Sequence, residues 1–186
     1  VKHKWPFSYV QHNRIPQDEV CQVYEGMEIA THGFRHEPLG AVSEDEMRAS
    51  VDADKAALEK IFGTTVVGHA YAQGSTSPAA QAYLKAQGYQ YARVVFPSGG
   101  FAFPEDPMNF RPSSSLILKN SVKLVERFKC EEPGEKDLLL FLWAHSYEMD
   151  YDKGNASWYA LERLFESIAG RSDIVYCTNS EAFAHI

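Results

Sequence analysis

The chain has 186 residues, of which 45% are hydrophobic and 23% charged, an ordinary composition for one globular domain with a buried core. Its formal net charge of −7 comes without any block of like charge, which argues against a nucleic-acid partner because phosphate binding needs a basic surface. The longest apolar run, residues 138–144, is too short to span a bilayer, so no membrane span is predicted.

Strand and helix patterns alternate along nearly the whole chain. Short apolar runs bounded by turn residues predict strands, and apolar positions three and four apart predict helices. The predicted strands cover residues 7–10, 27–31, 65–71, 89–95, 137–143 and 174–177. The predicted helices cover residues 16–24, 43–62, 78–87, 121–128, 158–168 and 178–184. Residues 97–115 are rich in Pro, Gly and Ser and are predicted to form a long loop.

This alternation predicts a single α/β domain over residues 1–186, built as a parallel barrel or an open sheet. Functional side chains of such folds lie at the carboxyl ends of the strands. Four chemically versatile residues fall at such ends: His32, Tyr71, Arg93 and His145. No Gly-rich phosphate loop opens a helix, which disfavours a nucleotide-binding fold.

The three cysteines are odd in number, far apart and in no C-x-x-C pair, which argues against a disulfide framework and a thiolate zinc site. Cys21, Cys130 and Cys177 are therefore predicted to be small apolar core residues. The sequence leaves the cellular compartment open.

The segment Glu28–His36 places two imidazoles, His32 and His36, four residues apart directly after an apolar run. Neutral imidazole nitrogens are common ligands of zinc and similar ions, and this spacing lets them converge if the turn between them is helical. The competing interpretation is a pair of unrelated surface histidines.

The second informative motif contains His145, which closes the apolar strand that contains Trp143 and precedes Tyr147 and Glu148. A histidine held at a strand end, in a partly dry mouth, is suited to act as a general acid. The alternative is a histidine that serves structure alone.

These motifs, taken together, resemble those of the polysaccharide deacetylases with a NodB-homology domain. His32 and His36 match the family's metal-binding H-x-x-x-H motif, and Leu142–His145 matches its late L-x-x-H motif. Gly68–Gly74 lies where many members carry an aromatic wall of the substrate groove. Gly88–Arg93 and Asp173–Thr178 resemble the strand after that wall and the closing strand.

The resemblance implies a distorted (β/α) barrel of about seven strands and a metal-dependent hydrolase. Its substrate would be an acetylated carbohydrate, such as an N-acetylated sugar or acetylated xylan. His32 and His36 would bind a divalent metal, with Zn first and Co or Ni as alternatives, and His145 would be the catalytic acid. Tyr71, Arg93, Trp143 and Tyr147 would bind the substrate, the aromatic rings by stacking on sugar faces.

One departure concerns the family's first motif, an Asp-Asp-Gly type stretch that carries the catalytic base and the third metal ligand. No Asp-Asp pair occurs in the chain, and Asp18 lies within a predicted helix. The start of the sequence resembles the region after that motif. The domain is therefore expected to be N-terminally truncated. Its barrel is expected to be either incomplete and open at the opening strand or covered at that gap by a homodimer.

The groove and the metal site also depart from the family pattern. Ala70, Ala72 and Gln73 stand where Arg, Pro and Tyr are usual, and Gly33 replaces the Ser or Thr after the first metal histidine. A catalytic zinc site normally has three protein ligands, so a third group must join the two imidazoles. The candidates for this ligand are His69, Glu37, Glu148, Asp150 and Asp152.

Arg93 lies at a predicted strand end, where a cation often pairs with a catalytic carboxylate. Without that partner it would face an anion, a substrate or solvent, and the plain alternative is a surface salt bridge.

Three functional hypotheses remain open at this point. The first is a metal-dependent carbohydrate deacetylase. The second is a non-catalytic relative that keeps the barrel and binds a glycan or an ion. The third is a different metallohydrolase or a purely structural α/β protein.

Overall fold

A computed structural model describes residues 2–5, 8–11 and 13–184 of the chain. These residues form six short strands and six helices. The strands are β1 (Lys2–Trp5), β2 (Ser8–Gln11), β3 (Gly68–Ala70), β4 (Tyr91–Arg93), β5 (Ser114–Ser115) and β6 (Leu142–Trp143). The helices are α1 (Val20–Val23), α2 (Glu44–Phe62), α3 (Pro78–Ala86), α4 (Ser121–Cys130), α5 (Trp158–Ile168) and α6 (Asn179–Phe183). Single 3-10 turns lie at Ala72–Gly74, Pro107–Asn109 and Ser146–Tyr151.

The strands pair in three two-stranded sheets. β1 and β2 are antiparallel, whereas β3 pairs with β4 and β5 pairs with β6 in parallel. Isolated parallel bridges, Thr31 with His69 and Arg93 with Phe110, flank the β3–β4 pair. The α/β class and the parallel pairing agree with the sequence prediction, since the chain crosses over through a helix between β3 and β4.

The chain divides into two compact units. The first unit contains residues 17–96, residues 104–111 and the chain from residue 176 on, and the second contains the chain up to residue 16 together with residues 97–103 and 112–175. The core of the first unit packs α2 and α3 against the β3–β4 sheet. Its buried side chains are Leu39, Met47, Val51, Tyr71, Ala80, Leu84, Tyr89, Ala92, Val94 and Met108.

The long helix α2 forms as the sequence predicts because both of its ends are satisfied locally. The Ser43 hydroxyl accepts the N–H of Glu46 at 3.3 Å, and the Glu46 carboxylate accepts the N–H of Ser43 at 3.0 Å. At the other end Gly63 adopts a left-handed φ of 65°, which a glycine tolerates, and its N–H donates to Glu59.

In the second unit, the small cluster of Tyr151 and Ala156 packs with Ile117 and Tyr147. Leu164, on α5, is also buried. Ser157 caps α5 by accepting the N–H of Ala160 at 3.2 Å. The helix spans the predicted residues, although its Trp158 and Phe165 rings are exposed.

The predicted strands are longer than the observed ones. Residues 65–71, 89–95 and 137–143 keep only the ladders of β3, β4 and β6, residues 27–31 keep one bridge, and residues 174–177 have no strand. The predicted loop contains β5. Ladder pairing depends on a neighbouring strand that is distant in sequence, and an apolar run alone does not specify it.

Several local predictions also differ. β2 covers most of the predicted strand 7–10, whose residue 7 lies outside the described part of the chain, while the pairing of β2 with β1 was not predicted. α1 is four residues long because none of its residues is buried against a partner. The prediction for the cysteines is wrong, since Cys21, Cys130 and Cys177 are all exposed. No helix of the described residues is long and apolar enough to cross a membrane.

A partly buried polar network around the buried Tyr91 ties the C-terminal helix of the first unit to its sheet. The Tyr91 hydroxyl donates to Glu28 Oε1 at 2.8 Å, and the N–H of Ser180 donates to Glu28 Oε2 at 2.8 Å. Asn179 Nδ2 donates to the Tyr91 hydroxyl oxygen at 3.0 Å. The Phe183 ring stacks on the Tyr91 ring with centroids 5.1 Å apart, so Tyr91 joins the helix to the strand twice.

Removal of the Tyr91 hydroxyl should therefore lower the free energy of unfolding. We expect Tyr91→Phe to cost about 1–3 kcal/mol, because Glu28 loses a donor at a site withdrawn from water. Tyr83→Phe is the matched control: its hydroxyl contacts Asp52 at the exposed surface, and its loss should cost about 0.5 kcal/mol or less. Urea unfolding of both variants measures the difference, and equal costs would contradict the importance of the partly buried network.

Candidate metal-binding and active site

The His32–His36 turn begins where the chain leaves its parallel bridge to β3. Gly33 adopts a left-handed φ of 85°, and His36 does so at 64°. A Cβ at position 33 would lie 3.1 Å from the backbone nitrogen of Glu37, which explains the glycine in place of Ser or Thr. This tight turn brings the His32 and His36 rings together, with centroids 4.8 Å apart and planes at 77°.

The orientation of His32 is fixed by a hydrogen bond from its ring to β3. Nδ1 lies 2.5 Å from the carbonyl oxygen of Ala70, and because a carbonyl only accepts, Nδ1 carries the proton. The lone pair of the neutral ring is then on Nε2. A backbone carbonyl on the other nitrogen is a common arrangement for metal-ligating histidines.

Helix α2 positions the turn through two polar side chains. The N–H of His32 donates to Asp54 Oδ2 at 2.8 Å, and the N–H of Phe34 donates to Ser50 Oγ at 3.1 Å. Ser50 and Asp54 follow Met47 and Val51 on the face of α2 that turns inward. Sequence analysis missed both, although polar residues at spacing three and four within an apolar stripe are the signal for them.

The pKa values of the two carboxylates around the turn, those of Asp54 and Glu37, are shifted in opposite directions. Burial raises the pKa of Asp54, and this effect outweighs the hydrogen bonds from the N–H groups of His32 and Gly33. For Glu37 burial also acts upward, but hydrogen bonds from the Arg35 N–H and the Ser50 hydroxyl lower its pKa below the ordinary value. The Glu37 carboxylate therefore serves to hold the turn.

His69 is fully buried beside the turn. Its Nδ1 lies 2.7 Å from the Thr31 hydroxyl, and its Nε2 has no hydrogen-bond partner. Burial, with smaller contributions from His32 and Arg93, lowers the pKa of His69 to about 3. The ring is therefore neutral at physiological pH and is a polar member of the core.

The donor set fits a divalent ion only in part. His32 and His36 supply two imidazoles with converging rings. Among the described residues, however, no group of three or more His, Cys, Asp or Glu side chains is placed to hold a metal ion. Catalytic zinc sites normally have three protein ligands, so the pair is an incomplete first shell. Of the candidate third ligands, Glu37 accepts a hydrogen bond from Ser50, and His69 is fully buried with its Nδ1 on the Thr31 hydroxyl.

Tyr71 and Arg93 lie at the carboxyl ends of β3 and β4, as predicted. Tyr71 is 0% exposed and its hydroxyl donates to the carbonyl of Met108 at 2.8 Å, so its ring has no face for a sugar and we assign it to the core. Arg93 is half-buried, and burial lowers its pKa from the ordinary value.

Trp143, His145 and Tyr147 form an aromatic ladder in the second unit. The His145 ring meets the Trp143 ring edge-on, with centroids 5.5 Å apart, and stacks on the Tyr147 ring at 5.0 Å. The N–H of His145 donates to Glu148 Oε2 at 2.8 Å, and its Nδ1 lies 3.4 Å from the same oxygen. The His145 side chain is 45% exposed, and the close Glu148 carboxylate is a suitable orienting group.

The predicted site residues thus form two groups. The His32–His36 pair, Tyr71 and Arg93 belong to the first unit, and the aromatic ladder belongs to the second. Asp150 accepts the indole N–H of Trp158 at 2.7 Å, and Asp152 adopts a left-handed φ of 50° at the end of the 3-10 turn.

Comparison with solved structures shows which fold these elements define. A Pseudomonas aeruginosa PAO1 protein assigned as a polysaccharide deacetylase matches with a TM-score of 0.66 at 16% identity, covering 91% of this chain and 62% of that one. The allantoinase Puue matches with a TM-score of 0.64 at 16% identity and the same coverage. A Mycobacterium smegmatis protein assigned as a polysaccharide deacetylase matches with a TM-score of 0.60 at 17% identity, covering 91% of this chain and 66% of that one.

The chain spans less than two thirds of the length of each of these structures. At such identities the similarity shows the fold alone, which is the α/β fold of the NodB-type deacetylases. Residues 7–92 match the family model "Polysaccharide deacetylase". These residues are less than half of the chain, and over them the chain is similar to the polysaccharide deacetylase family. A comparison with curated proteins gave no match.

The depressed pKa of His69 predicts a pH dependence of stability. The unfolded chain takes up the proton near pH 6.5 and the folded one near pH 3, so stability falls as the pH drops through this interval. Between pH 7 and pH 5 the loss from this group should be about 2 kcal/mol. In His69→Gln this part of the loss should vanish, as measured by urea unfolding at both pH values. An identical pH dependence of the unfolding free energy in the parent chain and in His69→Gln would contradict the low pKa of His69.

Proposed function

We propose that the chain is part of a carbohydrate deacetylase, a hydrolase that removes N- or O-acetyl groups from a polysaccharide or sugar. The observation that carries this proposal is the His32–His36 turn within a stretch that matches the deacetylase family model. The similarity to an allantoinase shows that the fold alone does not select the substrate.

In this proposal His32 and His36 are two ligands of a divalent ion, with zinc first and cobalt or nickel as alternatives. When bound, the ion would act as a Lewis acid and lower the pKa of a water molecule. The chain's own contribution is orientation, because the Ala70 carbonyl fixes the His32 tautomer and Asp54 fixes the backbone of the turn. The described residues supply no group of three such side chains for the ion, so these two imidazoles are the ligands proposed.

His145 is the proposed proton donor to the departing amine or alcohol. Glu148 holds the backbone of His145 and faces its Nδ1, so the ring is oriented at the end of β6. Trp143 and Tyr147 flank the ring and offer aromatic faces of the kind that stack on sugars. Arg93 stays a proposed substrate contact, and the predicted barrel, homodimer and absence of nucleic acid stay predictions.

A second candidate function is a non-catalytic relative that binds a glycan or an ion without turnover. It is favoured by the incomplete donor set among the described residues and by the burial of Tyr71, which removes one wall of the expected groove. The two candidates differ in one observable, the release of acetate.

Metal binding tests the proposed ligands independently of activity. We expect the chain to bind Co²⁺ or Zn²⁺ in equilibrium dialysis, and His32→Ala and His36→Ala to lose most of that binding because each removes half of the available first shell. His69→Gln, which removes an imidazole that is buried away from solvent, is the control and should bind as the parent does. Unchanged binding in His32→Ala would exclude this site.

Acetate release tests the catalytic role of His145. With a divalent ion and an acetylated glucosamine oligomer or acetylated xylan, His145→Ala should lower kcat by about 10²–10⁴, the usual contribution of a general acid. Tyr159→Phe, which alters an exposed ring outside the aromatic ladder, should retain the parent rate. No acetate release by the parent chain, with metal binding intact, would favour the non-catalytic relative.

A further inference from the structure

The second unit contains an open cleft of about 460 Å³, a volume within the range of small-molecule sites. One wall is the loop that begins at Pro97, the floor is formed by the buried Ser113 and Ser114, and the other wall is a face of α4. The cleft shares no residue with the His32–His36 turn or the aromatic ladder.

The described residues that line this cleft include two cations and no acid. Lys123 and Arg127 lie one helical turn apart on α4, so both side chains border the same space. Glu131, outside the lining, lies 3.3 Å from Arg127, so Lys123 is the lining cation that no acid of the described residues offsets.

Arg127 and Lys123 differ in the contacts that their side chains make with the rest of the unit. Arg127 Nη2 donates to the Gly99 carbonyl at 2.9 Å, its guanidinium lies 4.5 Å above the Phe101 ring, and Glu131 is 3.3 Å away. Arg127 therefore has a structural function in fixing the loop wall. Lys123 is exposed and has no ion pair among the described residues, so the packing of the unit gives no reason for its charge.

The remaining lining groups suit a ligand with hydroxyls and an apolar face. Ser98 and Asn120 offer a hydroxyl and an amide, and the Asn120 side chain makes no capping bond to α4. Pro97 and Leu124 offer apolar surface beside them. Sugar rings combine both kinds of surface.

We propose that this cleft binds an acidic sugar unit, with Lys123 facing the oxygens of its carboxylate or phosphate and the hydroxyl of Ser98 and the amide of Asn120 facing its ring. The sugar part of this inference rests on the proposed function, whereas the oxyanion part rests on the cleft alone. The proposal defines the substrate class more narrowly, as a polysaccharide that carries anionic units.

Calorimetric titration of the intact chain tests the proposal. The ligands are an oligogalacturonate, a hexose phosphate, a neutral N-acetylglucosamine oligomer and inorganic phosphate. We expect at least one acidic sugar to bind about tenfold more tightly than the neutral oligomer, and Lys123→Gln to weaken this binding about tenfold, as expected for one charge-assisted hydrogen bond. Lys123→Arg should bind nearly as the parent does. Lys136→Gln, which removes an exposed charge outside the cleft, should leave binding unchanged.

Binding of the oligogalacturonate would identify the anion as a carboxylate, and binding of the hexose phosphate would identify it as a phosphate. Either result supports the proposed binding of an acidic sugar in the cleft. Equal affinity for the neutral oligomer, unchanged affinity in Lys123→Gln, or binding of inorganic phosphate alone would overturn it. Neither acidic ligand is acetylated, so this outcome is independent of whether the chain releases acetate. Because Lys123 is exposed, an unchanged thermal unfolding curve will show that the variant is folded.

Discussion

The structure around the candidate site depends on the short parallel contact between residues 31–32 and β3. The Thr31 N–H donates to the Gly68 carbonyl at 2.9 Å, and the Ala70 N–H donates to the Thr31 carbonyl at 2.8 Å. The side chains repeat this pairing, since Thr31 contacts the His69 ring and the His32 ring contacts Ala70. Register and histidine orientation are therefore set together, and a slip of one residue would lose both.

This arrangement places three histidines in chemically different environments. His36 is exposed on a left-handed turn, His32 is half-buried and fixed by a carbonyl, and His69 is buried with one nitrogen unpartnered. A buried polar atom without a partner costs stability, and the Thr31 hydroxyl and the rings of Tyr71 and Tyr89 define the space around it. The two less buried rings are therefore the chemically available members of the set.

Sequence reasoning predicted the features that are determined locally. The capping box at Ser43, the span of α5, the turn at Gly63 and the strand-end positions of His32 and Arg93 all follow from short patterns. Strand lengths, the exposure of Cys21 and the burial of Tyr71 depend on distant neighbours, and the patterns did not predict them. Asp54 belongs to the same class, because its importance comes from the backbone of His32, which is 22 residues away in sequence. The family resemblance suggested roles for His32, His36 and His145, while the structure shows the hydrogen-bond partner that sets the tautomer of His32.

The hydrogen bonds that Asp54 accepts come from main-chain N–H groups, at His32 and at Gly33. A main-chain donor survives a change of side chain, so the path of the turn is independent of the imidazole that it presents. The hydrogen bonds that hold the backbone of the turn are therefore independent of the side chain at position 32. A substitution at His32 or His36 would therefore change an imidazole and keep the hydrogen bonds that Asp54 accepts.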